Sequence, residues 1–380
     1  MGILVLNSGS SSHKCALFGD DRPPLWQGWI DWTIRPGQAV VKVQGETEVW
    51  EGDRATVLAR LLATLGPAAG TIQAVGHRVV HGGDLYKESV VVTAAVRSAI
   101  RDLIPLAPTH NPANLEGIEL LATLWPGVPQ VAVFDTAFHS TLPVAAAAYP
   151  IPYAYWEEGL RRYGFHGISH GYCHRRAADI LGRADLRAVT CHLGNGCSLA
   201  AAVGGVCQDT TMGFTPLEGL MMGTRSGSID PGLVLHWWRQ GKSVAEVDRL
   251  LNRESGLKGI FGETGDLRQI LAARSDGDPR AILAFDMFVH RLRAGIAAMA
   301  AALNGLEAVV FAGGMGENSP VLRAAVCAGL GFLGMALDAT ANENRPVDCD
   351  IATPAAPVRV LVIQTSEEWA IAQECRRLLA

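Results

Sequence analysis

A strand, a small polar turn and a second strand occur twice in this chain, and this repeat constrains the fold more than any other sequence feature. The first copy joins the apolar run Ile3–Asn7 to Lys14–Phe18 through the turn SGSSS. The second copy joins Ala188–His192 to Ser198–Val203 through the turn LGNG. Apolar runs separated by such turns are typical of hairpins. Because one chain contains the unit twice, we predict two related α/β domains.

The length and composition agree with two globular domains and exclude several other classes of protein. A chain of 380 residues, 49% apolar and 18% charged, exceeds what one core usually supports. The 32 basic and 37 acidic residues give a net charge of −5 without any Lys/Arg run, which argues against a nucleic-acid or anionic-membrane surface. The eight cysteines include no C-x-x-C pair, so we expect reduced thiols.

Two segments bear on the location of the protein. The segment Met1–Asn7 has no basic region and only a short apolar run, so we expect no signal peptide. The most apolar stretch, Ala294–Gly316, is interrupted by Asn304, Gly305 and Glu307, which predicts a buried helix and a strand and no membrane span. We therefore expect a cytoplasmic protein.

Three glycine-rich turns follow apolar strands and are the main indication of a ligand site. The third, beside SGSSS and LGNG, is Gly313–Glu317 after the run Ala308–Phe311. Small residues let backbone N–H groups point at one locus, and such nests bind phosphate oxygens. Any one turn alone is better explained as a tight hairpin, but three favour a nucleotide cleft between the halves. The chain has no Walker A sequence, and the formal G-x-G-x-x-G at Gly329–Gly334 follows a helical run, which is not a dinucleotide site.

Charged and imidazole side chains occupy strand ends and turns. Asp135 directly follows a continuous apolar strand, where a carboxylate could hold Mg²⁺ or cap a helix. Arg78 in GHRVVHGG and Arg225 in GTRSG lie near glycines, which indicates guanidinium groups positioned for carboxylate or phosphoryl oxygens. His110 and His166 lie in turns bounded by Pro or Gly, where each could donate a hydrogen bond to an anion or serve the turn alone.

Eight segments resemble the acetate kinase family, in the family's order and across nearly the whole chain. They are NSGSSSHK (7–14), GHRVVHGG (76–83), LAPTHNPANLEG (106–117), VFDTAFH (133–139), YGFHGISH (163–170), HLGNG (192–196), TMGFTPLEGLMMGTRSGSIDP (211–231) and GGMGENS (313–319). Because this combination is far more specific than any single motif, the chain is identified as a member of that family.

The resemblance implies an α/β fold of two duplicated actin-like (ribonuclease H-like) domains around a nucleotide cleft. The proline-rich segment Pro143–Pro152 is the predicted linker. We expect an N-terminal domain of residues 1–147 plus a returning C-terminal helix, 366–380. A second domain, 148–365, is expected to contain most of the nucleotide site. Family members typically form homodimers, so a homodimer is expected.

The resemblance also implies roles for individual residues. The expected catalytic residues are Asp135, Arg78, Arg225, His166 and His110. The expected acid-binding residues are Arg78, Val80, Thr109, Phe165 and Pro216. The expected nucleotide-binding residues are Ser10, Ser12, Lys14, His192, Leu193, Gly194, Asn195, Gly196, Asp266, Leu267, Arg268, Gly313, Gly314, Met315, Gly316 and Glu317. The expected Mg²⁺-side residues are Asn7 and Glu367, with Glu368 as the alternative to Glu367.

The implied reaction is the reversible, Mg·ATP-dependent phosphorylation of acetate to acetyl phosphate by direct in-line transfer, with ATP and ADP as the nucleotide partners. A carboxylate nucleophile is already ionised at neutral pH, so the residues must align two anions and stabilise a metaphosphate-like transition state. The sequence departs from the family pattern at Thr109, Leu267 and Ser228, where leucine, methionine and aspartate are usual. Thr109 would line the pocket for the methyl group of the acid.

Two alternatives remain open at this point. The first is the same chemistry with propionate or butyrate, which the changed pocket residue Thr109 leaves open. Selectivity between these acids should be modest, because one methylene is worth only about 1–3 kcal/mol. The second is an actin-like ATP-binding module that transfers no phosphoryl group to a metabolite, since a fold does not fix function. The presence of Arg78 and Arg225 argues against the module, because a nucleotide switch has no use for a second anion site. A sugar kinase of the same fold ranks low, because the pocket is mostly apolar.

Overall fold

The computed structural model describes residues 1–9, 12–35, 37–344 and 346–380. The chain divides into two compact units. Unit 1 consists of Met1–Phe138 and Ser366–Ala380, and unit 2 consists of His139–Thr365. The predicted domain boundary after residue 147 stays a prediction.

The strands are numbered in chain order. They are β1 Gly2–Ser8, β2 Ser12–Phe18, β3 Trp26–Arg35, β4 Gln38–Val43, β5 Glu46–Trp50, β6 Ile72–Val79, β7 Val90–Val91, β8 Gln130–Phe134, β9 Arg187–Leu193, β10 Cys197–Val203, β11 Val206–Thr210, β12 Ala308–Ala312, β13 Cys349–Asp350 and β14 Arg359–Val362.

The α-helices are numbered in the same way. They are α1 Arg54–Ala63, α2 Ala94–Asp102, α3 Asn111–Leu124, α4 Val144–Ala147, α5 Ala154–Glu157, α6 Gly167–Leu181, α7 Pro231–Arg239, α8 Val244–Arg253, α9 Gly256–Phe261, α10 Leu267–Ser275, α11 Pro279–Ala302, α12 Gly313–Asn318, α13 Pro320–Ala328, α14 Ala339–Glu343 and α15 Glu367–Leu379. Short 3₁₀ segments span Gly66–Thr71, Ile104–Leu106, Ala137–Thr141 and Gly331–Leu333. Among the described helices, none is long and apolar enough to cross a membrane.

Unit 1 is built on a mixed sheet in the order β5-β4-β3-β2-β1-β6-β8-β7. The strands β1, β2 and β3 pair in antiparallel fashion, whereas β1, β6 and β8 run parallel. Helix α15 packs on β1 and β6. A Cβ atom at Gly76 in β6 would lie 2.5 Å from Ile371 and 2.8 Å from Cys375, so the absence of a side chain there lets α15 pack this closely.

Unit 2 is built on a sheet in the order β11-β10-β9-β12-β14-β13. The strands β9, β10 and β11 pair in antiparallel fashion, and β9, β12 and β14 run parallel. Helix α6 packs on β9, and α11 packs on β10 and β11. The central strand β12 is buried along its whole length, as expected for a parallel strand covered on both faces.

The two sheets contain the same five-strand arrangement. The strands β3-β2-β1-β6-β8 of unit 1 correspond in order and direction to β11-β10-β9-β12-β14 of unit 2. The duplication predicted from the two hairpins is therefore confirmed, and it extends to the two following parallel strands. Unit 1 adds the β4–β5 hairpin at one edge of its sheet, whereas unit 2 inserts the helices α7 to α10 between β11 and α11.

Most of the predicted elements are confirmed within a few residues, including β8, α3 and α11. The prediction of a turn at Gly313–Glu317 is wrong, because these residues form most of the short helix α12. Helix α6 was not predicted. Its sequence, GISHGYCHRRAADIL, contains two glycines and has low intrinsic propensity, and nine of its residues are buried against the rest of unit 2.

Candidate functional site

An arginine and an aspartate meet at the ends of two parallel strands in unit 1. Arg78 lies near the end of β6, and Asp135 directly follows β8, where its backbone N–H donates to the Val79 carbonyl at 2.9 Å. Arg78 Nε donates to Asp135 Oδ2 at 3.0 Å, and the Arg78 NH2 group also donates to Oδ2. Asp135 is only 1% exposed, and its Oδ1 atom has no hydrogen-bond partner among the residues that the structure describes. A buried, unpartnered carboxylate oxygen is a position for a cation or a donor.

Asn7 links this pair to the first turn of α15. Its Nδ2 atom donates to Glu367 Oε2 and to Glu368 Oε1, both at 3.3 Å. Arg78 NH1 donates to Asn7 Oδ1 at 3.4 Å. The carboxylates of Glu367 and Glu368 lie at the N-terminus of α15, where the helix dipole favours negative charge. The structure therefore brings Asn7, Arg78, Asp135 and both glutamates together, and both glutamates contact Asn7.

The cluster carries more negative than positive charge. Burial raises the pKa of Glu367 to about 7, with Asp135 and Glu368 adding to the rise and Arg78 opposing it. Burial opposes the charge of Arg78, but Asp135 and the two glutamates together raise its pKa above the ordinary value. Clustered carboxylate and amide oxygens are the ligand type that a hard divalent cation prefers. Within the described residues no group of three or more His, Cys, Asp or Glu has a metal-ligand arrangement on its own, so this set fits a cation that keeps waters or substrate oxygens as further ligands.

The other predicted residues of unit 1 lie near the same strand ends. Lys14 is the direct cross-strand partner of Asn7, and Ser12 begins β2. Val80 is buried, and its N–H donates to the Asn114 side chain at 3.0 Å. Thr109 Oγ1 and His110 Nδ1 are 2.8 Å apart at the N-terminus of α3. Ser10 lies outside the described residues.

Unit 2 places imidazoles and an arginine beside the LGNG turn. His166 precedes α6 with a left-handed φ of 58°, a conformation that costs a non-glycine residue about 1 kcal/mol or more. Its ring stacks on His192 with 4.3 Å between centroids, and its Nδ1 atom lies 2.9 Å from Ser198 Oγ. A Cβ atom at Gly196 would lie 3.3 Å from His166 Nε2 and 3.5 Å from Arg225 NH1. His166 and Arg225 therefore adjoin the same point of the turn.

Arg225 is a guanidinium without a carboxylate partner among the described residues. Its NH1 group donates to the Pro216 carbonyl at 3.3 Å and approaches Met222 Sδ at 4.0 Å. Burial lowers its pKa, and the nearby Cys197 opposes that effect. Because a partly buried guanidinium lacks the anion that normally accompanies it, this position fits an anionic ligand.

The LGNG turn is stabilised by close backbone contacts. Gly194 N–H donates to the Gly196 carbonyl at 3.0 Å, and Gly223 N–H donates to the Asn195 carbonyl at 3.0 Å. Gly313 has a φ of 74°, and a Cβ atom there would lie 2.9 Å from the backbone of Leu193. The glycines thus allow the start of α12 to lie against the end of β9.

The predicted adenosine residues have well-defined neighbours in unit 2. Asp266 caps α10 and receives hydrogen bonds from the side chain of Arg268, which is 90% exposed, whereas Leu267 is buried. Glu317 Oε1 accepts hydrogen bonds from Gly313 N–H at 2.9 Å and from the N–H and hydroxyl of Thr365 at 2.9 and 2.8 Å. The remaining positions, Gly314, Met315 and Gly316, lie in α12. Of the predicted acid-pocket residues in this unit, Phe165 is buried and Pro216 is half-buried.

Several residues that contact this region escaped the sequence analysis. Ser198, His170 and Thr190 have buried side chains. Hydrogen bonds link His166 to Ser198, Ser198 to His170, and His170 to Thr190. In a second group, Arg162 donates to the Met212 carbonyl and Tyr149 accepts from the Phe214 N–H. Glu218 accepts hydrogen bonds from both of these side chains. Single hydroxyls inside apolar strands have no spacing that would distinguish them from ordinary core residues. No sequence pattern therefore indicated Ser198 or Thr190.

The chain has duplicated sheets, a carboxylate–arginine cluster in unit 1 and an imidazole–arginine cluster in unit 2. These features are typical of the actin-like α/β phosphotransferases. A family model described as the acetokinase family matches residues 2–373. A curated acetate kinase from Synechococcus sp. (strain JA-2-3B'a(2-13)) is 55% identical over 400 residues, covering 100% of this chain and 99% of the relative.

Two solved structures extend the comparison. A crystal structure of Porphyromonas gingivalis acetate kinase is similar with a TM-score of 0.92 at 40% identity, covering 100% of both chains. A crystal structure of a propionate kinase from Francisella tularensis subsp. tularensis SCHU S4 is similar with a TM-score of 0.93 at 40% identity, covering 99% of both chains. The chain belongs to the acetokinase family, and it is an enzyme of the kinase type. The predicted fold class and family are confirmed.

Proposed function

We propose that this enzyme catalyses the reversible ATP-dependent phosphorylation of acetate to acetyl phosphate by direct in-line transfer. The observation that carries the proposal is the Arg78–Asp135 pair, in which Asp135 Oδ1 is buried and has no hydrogen-bond partner among the described residues. Arg78 also donates to Asn7, which contacts Glu367 and Glu368. Such a set has a use in positioning a metal-bound phosphate and little use in stabilising the fold, because a buried pair with an unpartnered oxygen costs free energy. The choice of acetate rests on the names of the curated relatives.

Unit 1 contains the residues that we propose to hold the cation. Asn7, Asp135 and Glu367 would hold Mg²⁺, with Glu368 beside them, and the bound ion would neutralise charge on the transferring phosphoryl group. Asp135 holds Arg78 in a fixed orientation through two donors to one oxygen. Arg78 would then bind anionic substrate oxygens, and Val80, Thr109 and His110 would surround the acid. A base is unnecessary, because the acid is ionised at neutral pH.

Unit 2 contains the residues that we propose to bind anionic oxygens, here called the anion side. Arg225 and His166 adjoin one point of the LGNG turn and would donate to phosphoryl oxygens. Within unit 2, His192 and the turn would contact phosphates. Within unit 1, Ser12 and Lys14 are proposed separately as phosphate contacts. We assign the adenosine to Asp266–Arg268 and to Gly313–Glu317, of which Glu317 already accepts three hydrogen bonds through Oε1. We also propose that the units correspond to the two duplicated domains.

The direct test is a hydroxamate assay with the purified full chain, ATP, Mg²⁺ and acetate. Acyl phosphate formation that disappears without ATP or without the divalent cation is the expected result. A protein that forms no acyl phosphate from acetate, propionate or butyrate, although it binds ATP, would refute the proposed activity.

A preference for propionate is the second candidate. Thr109 occupies the position where the family usually has leucine, and the propionate kinase named above is as similar in structure as the acetate kinase. The Thr109 hydroxyl lies 2.8 Å from His110 Nδ1, which leaves its methyl group for the acid. We expect kcat/KM for acetate and propionate to differ by less than about 200-fold, because one methylene is worth about 1–3 kcal/mol. Parallel assays with both acids in wild type and Thr109→Leu measure this ratio.

We further propose a homodimer in the cytoplasm, with α7 in the interface. None of the residues of α7 is buried in the single chain, and its Leu233, Leu235 and Trp238 are each more than 40% exposed. A helix this apolar is expected to be covered by another surface. Light scattering should give twice the chain mass of 40.4 kDa, and Trp238→Glu should give the mass of the single chain.

A further inference from the structure

Three buried side chains of unit 2 form a continuous hydrogen-bonded chain that ends at His166. Thr190 Oγ1 in β9 lies 2.7 Å from His170 Nδ1 in α6. His170 Nε2 lies 2.7 Å from Ser198 Oγ in β10, and Ser198 Oγ lies 2.9 Å from His166 Nδ1. Thr190, His170 and Ser198 are each no more than 2% exposed, so bulk water does not reach them.

The direction of donation along this chain follows from the position of Thr190. Its hydroxyl can donate to His170 Nδ1 at 2.7 Å or to the Ala200 carbonyl at 3.4 Å. The second distance exceeds the range of about 2.5–3.0 Å for O–H···O hydrogen bonds. A buried donor without a good acceptor is unfavourable, so the hydroxyl donates to His170. Neutral His170 then donates from Nε2 to Ser198, and Ser198 donates to His166 Nδ1.

This direction requires that His170 carry one proton. Burial lowers the pKa of His170 well below its ordinary value, and the neighbouring His139 and His192 lower it further. His170 is therefore neutral at physiological pH and has a single N–H to donate. With Nδ1 engaged by Thr190, that N–H is the one facing Ser198.

The His166 ring lies beside groups that carry, or can carry, positive charge. The ring stacks on His192. Its Nε2 atom and the Arg225 guanidinium both lie next to Gly196. His166 also lies at the N-terminus of α6, the positive end of the helix dipole. His170, the third titratable neighbour, is linked to it through Ser198.

We propose that Thr190, His170 and Ser198 are positioning residues that hold His166 as the neutral Nε2–H tautomer. Because His166 Nδ1 accepts from Ser198, the one ring proton lies on Nε2, the atom beside Gly196 and Arg225. His166 thereby offers a neutral donor to an anionic oxygen without adding a second positive charge beside the guanidinium. Its use in catalysis rests on the proposed function, whereas the tautomer itself does not.

The tautomer is measured by ¹⁵N–¹H correlation spectra of the full chain labelled at histidine, with the His166 signals assigned from His166→Gln. The expected result between pH 7 and 8 is a neutral ring protonated on Nε2. In Ser198→Ala the two tautomers should mix, because Nδ1 loses its donor. A wild-type ring protonated on Nδ1, or on both nitrogens, overturns the proposal. This reading on the wild type is decisive even if the variant folds poorly or the wild type forms no acyl phosphate.

Kinetics of the hydroxamate reaction separate positioning from a merely structural role. Ser198→Ala should lower kcat about tenfold, because the lost hydrogen bond is worth about 1.4 kcal/mol. KM for ATP should stay within about twofold of the wild-type value. Thr190→Val should lower kcat by a smaller factor, and Thr190→Ser, which keeps the hydroxyl, should restore it. Wild-type kcat should stay level from pH 7 to 9, because the neutral ring is the active form. A loss in Thr190→Ser equal to that in Thr190→Val, or a wild-type kcat that falls over this pH range with the deprotonation of His166, overturns the role in catalysis.

Discussion

Units 1 and 2 share one strand arrangement, yet the polar groups at matching strand ends differ in charge. At the end of β1, Asn7 contacts the carboxylates of Glu367 and Glu368 and the guanidinium of Arg78. At the end of β9, His192 contacts the Ser169 hydroxyl and stacks on His166. The backbone therefore fixes where the polar groups stand, and the side chains decide which charge each strand end attracts.

The unlike charges of the two units suit a reaction between two anions. A set rich in carboxylates attracts a cation, whereas a set of hydroxyls, imidazoles and a guanidinium attracts an anion. If this division of labour holds, substitutions in unit 1 and unit 2 should produce different phenotypes.

The largest effect is expected at Arg225. In Arg225→Ala, kcat should fall by about 10³-fold or more, because the guanidinium would stabilise charge on the transferring phosphoryl group. Arg225→Lys keeps the charge and loses the two-pronged donor, so it should recover only part of this loss. The hydroxamate assay measures both variants.

A matched control comes from the same unit. Arg183 forms surface ion pairs with Asp185 and Glu307, and such pairs contribute little. Arg183→Ala should therefore keep kcat within about twofold of wild type. Near-normal turnover in Arg225→Ala would remove that arginine from the anion side of the comparison.

The next effect is expected at Asp135 and should be of a different kind. Asp135→Asn should lower kcat by about 10²–10³-fold, the usual loss for one preorganised polar group. It should also weaken the binding of Mn²⁺, used as a spectroscopic substitute for Mg²⁺ and titrated in the absence of nucleotide. Arg225→Ala should leave that Mn²⁺ affinity unchanged, because Arg225 belongs to the anion side. Equal Mn²⁺ affinity in Asp135→Asn and wild type would show that Asp135 does not hold the cation.

In both units the sequence was sufficient for local features and insufficient for contacts between residues far apart in the chain. The hairpins β1–β2 and β9–β10, the buried strand β8 and the glycine-flanked arginines are local patterns, so they could be predicted. The contact between Asn7 and the first turn of α15 joins residues 360 positions apart, and only the family resemblance indicated it. Ser198 and Thr190 could not be found, because each is one hydroxyl within an apolar strand.

Arg323 and Arg225 of unit 2 differ in their hydrogen bonds, because protein acceptors already bind the Arg323 guanidinium. Arg323 is fully buried and donates to the Asn342 side chain and carbonyl and to the carbonyls of Gly316 and Glu317, all at 2.8 Å. Because those acceptors would lose their donors, Arg323→Met should lower the free energy of unfolding by about 3 kcal/mol. Arg225→Ala should change it far less. Urea unfolding of both variants measures the contrast, and equal losses would mean that Arg225 is structural too.

The smallest effect concerns a buried histidine of unit 1 and its response to acid. His77 in β6 is buried, and its Nε2 lies 2.6 Å from the Gln130 side-chain amide. Burial lowers its pKa from 6.5 to about 4, with Gln130 opposing the shift. Between pH 6.5 and 4 the unfolded chain therefore binds a proton that the folded chain does not, so stability falls as the pH falls through this window.

The size of that fall follows from the lowered pKa. Between pH 7 and 5.5, His77 should account for a loss of about 1 kcal/mol, and His77→Gln should remove that part of the pH dependence. The control is His290→Gln, which replaces a histidine exposed on α11 and should leave the pH dependence unchanged. Urea midpoints of the three proteins at pH 7 and 5.5 give the measurement. If His77→Gln loses as much stability on acidification as wild type, His77 takes up its proton in the folded state, and its lowered pKa is wrong.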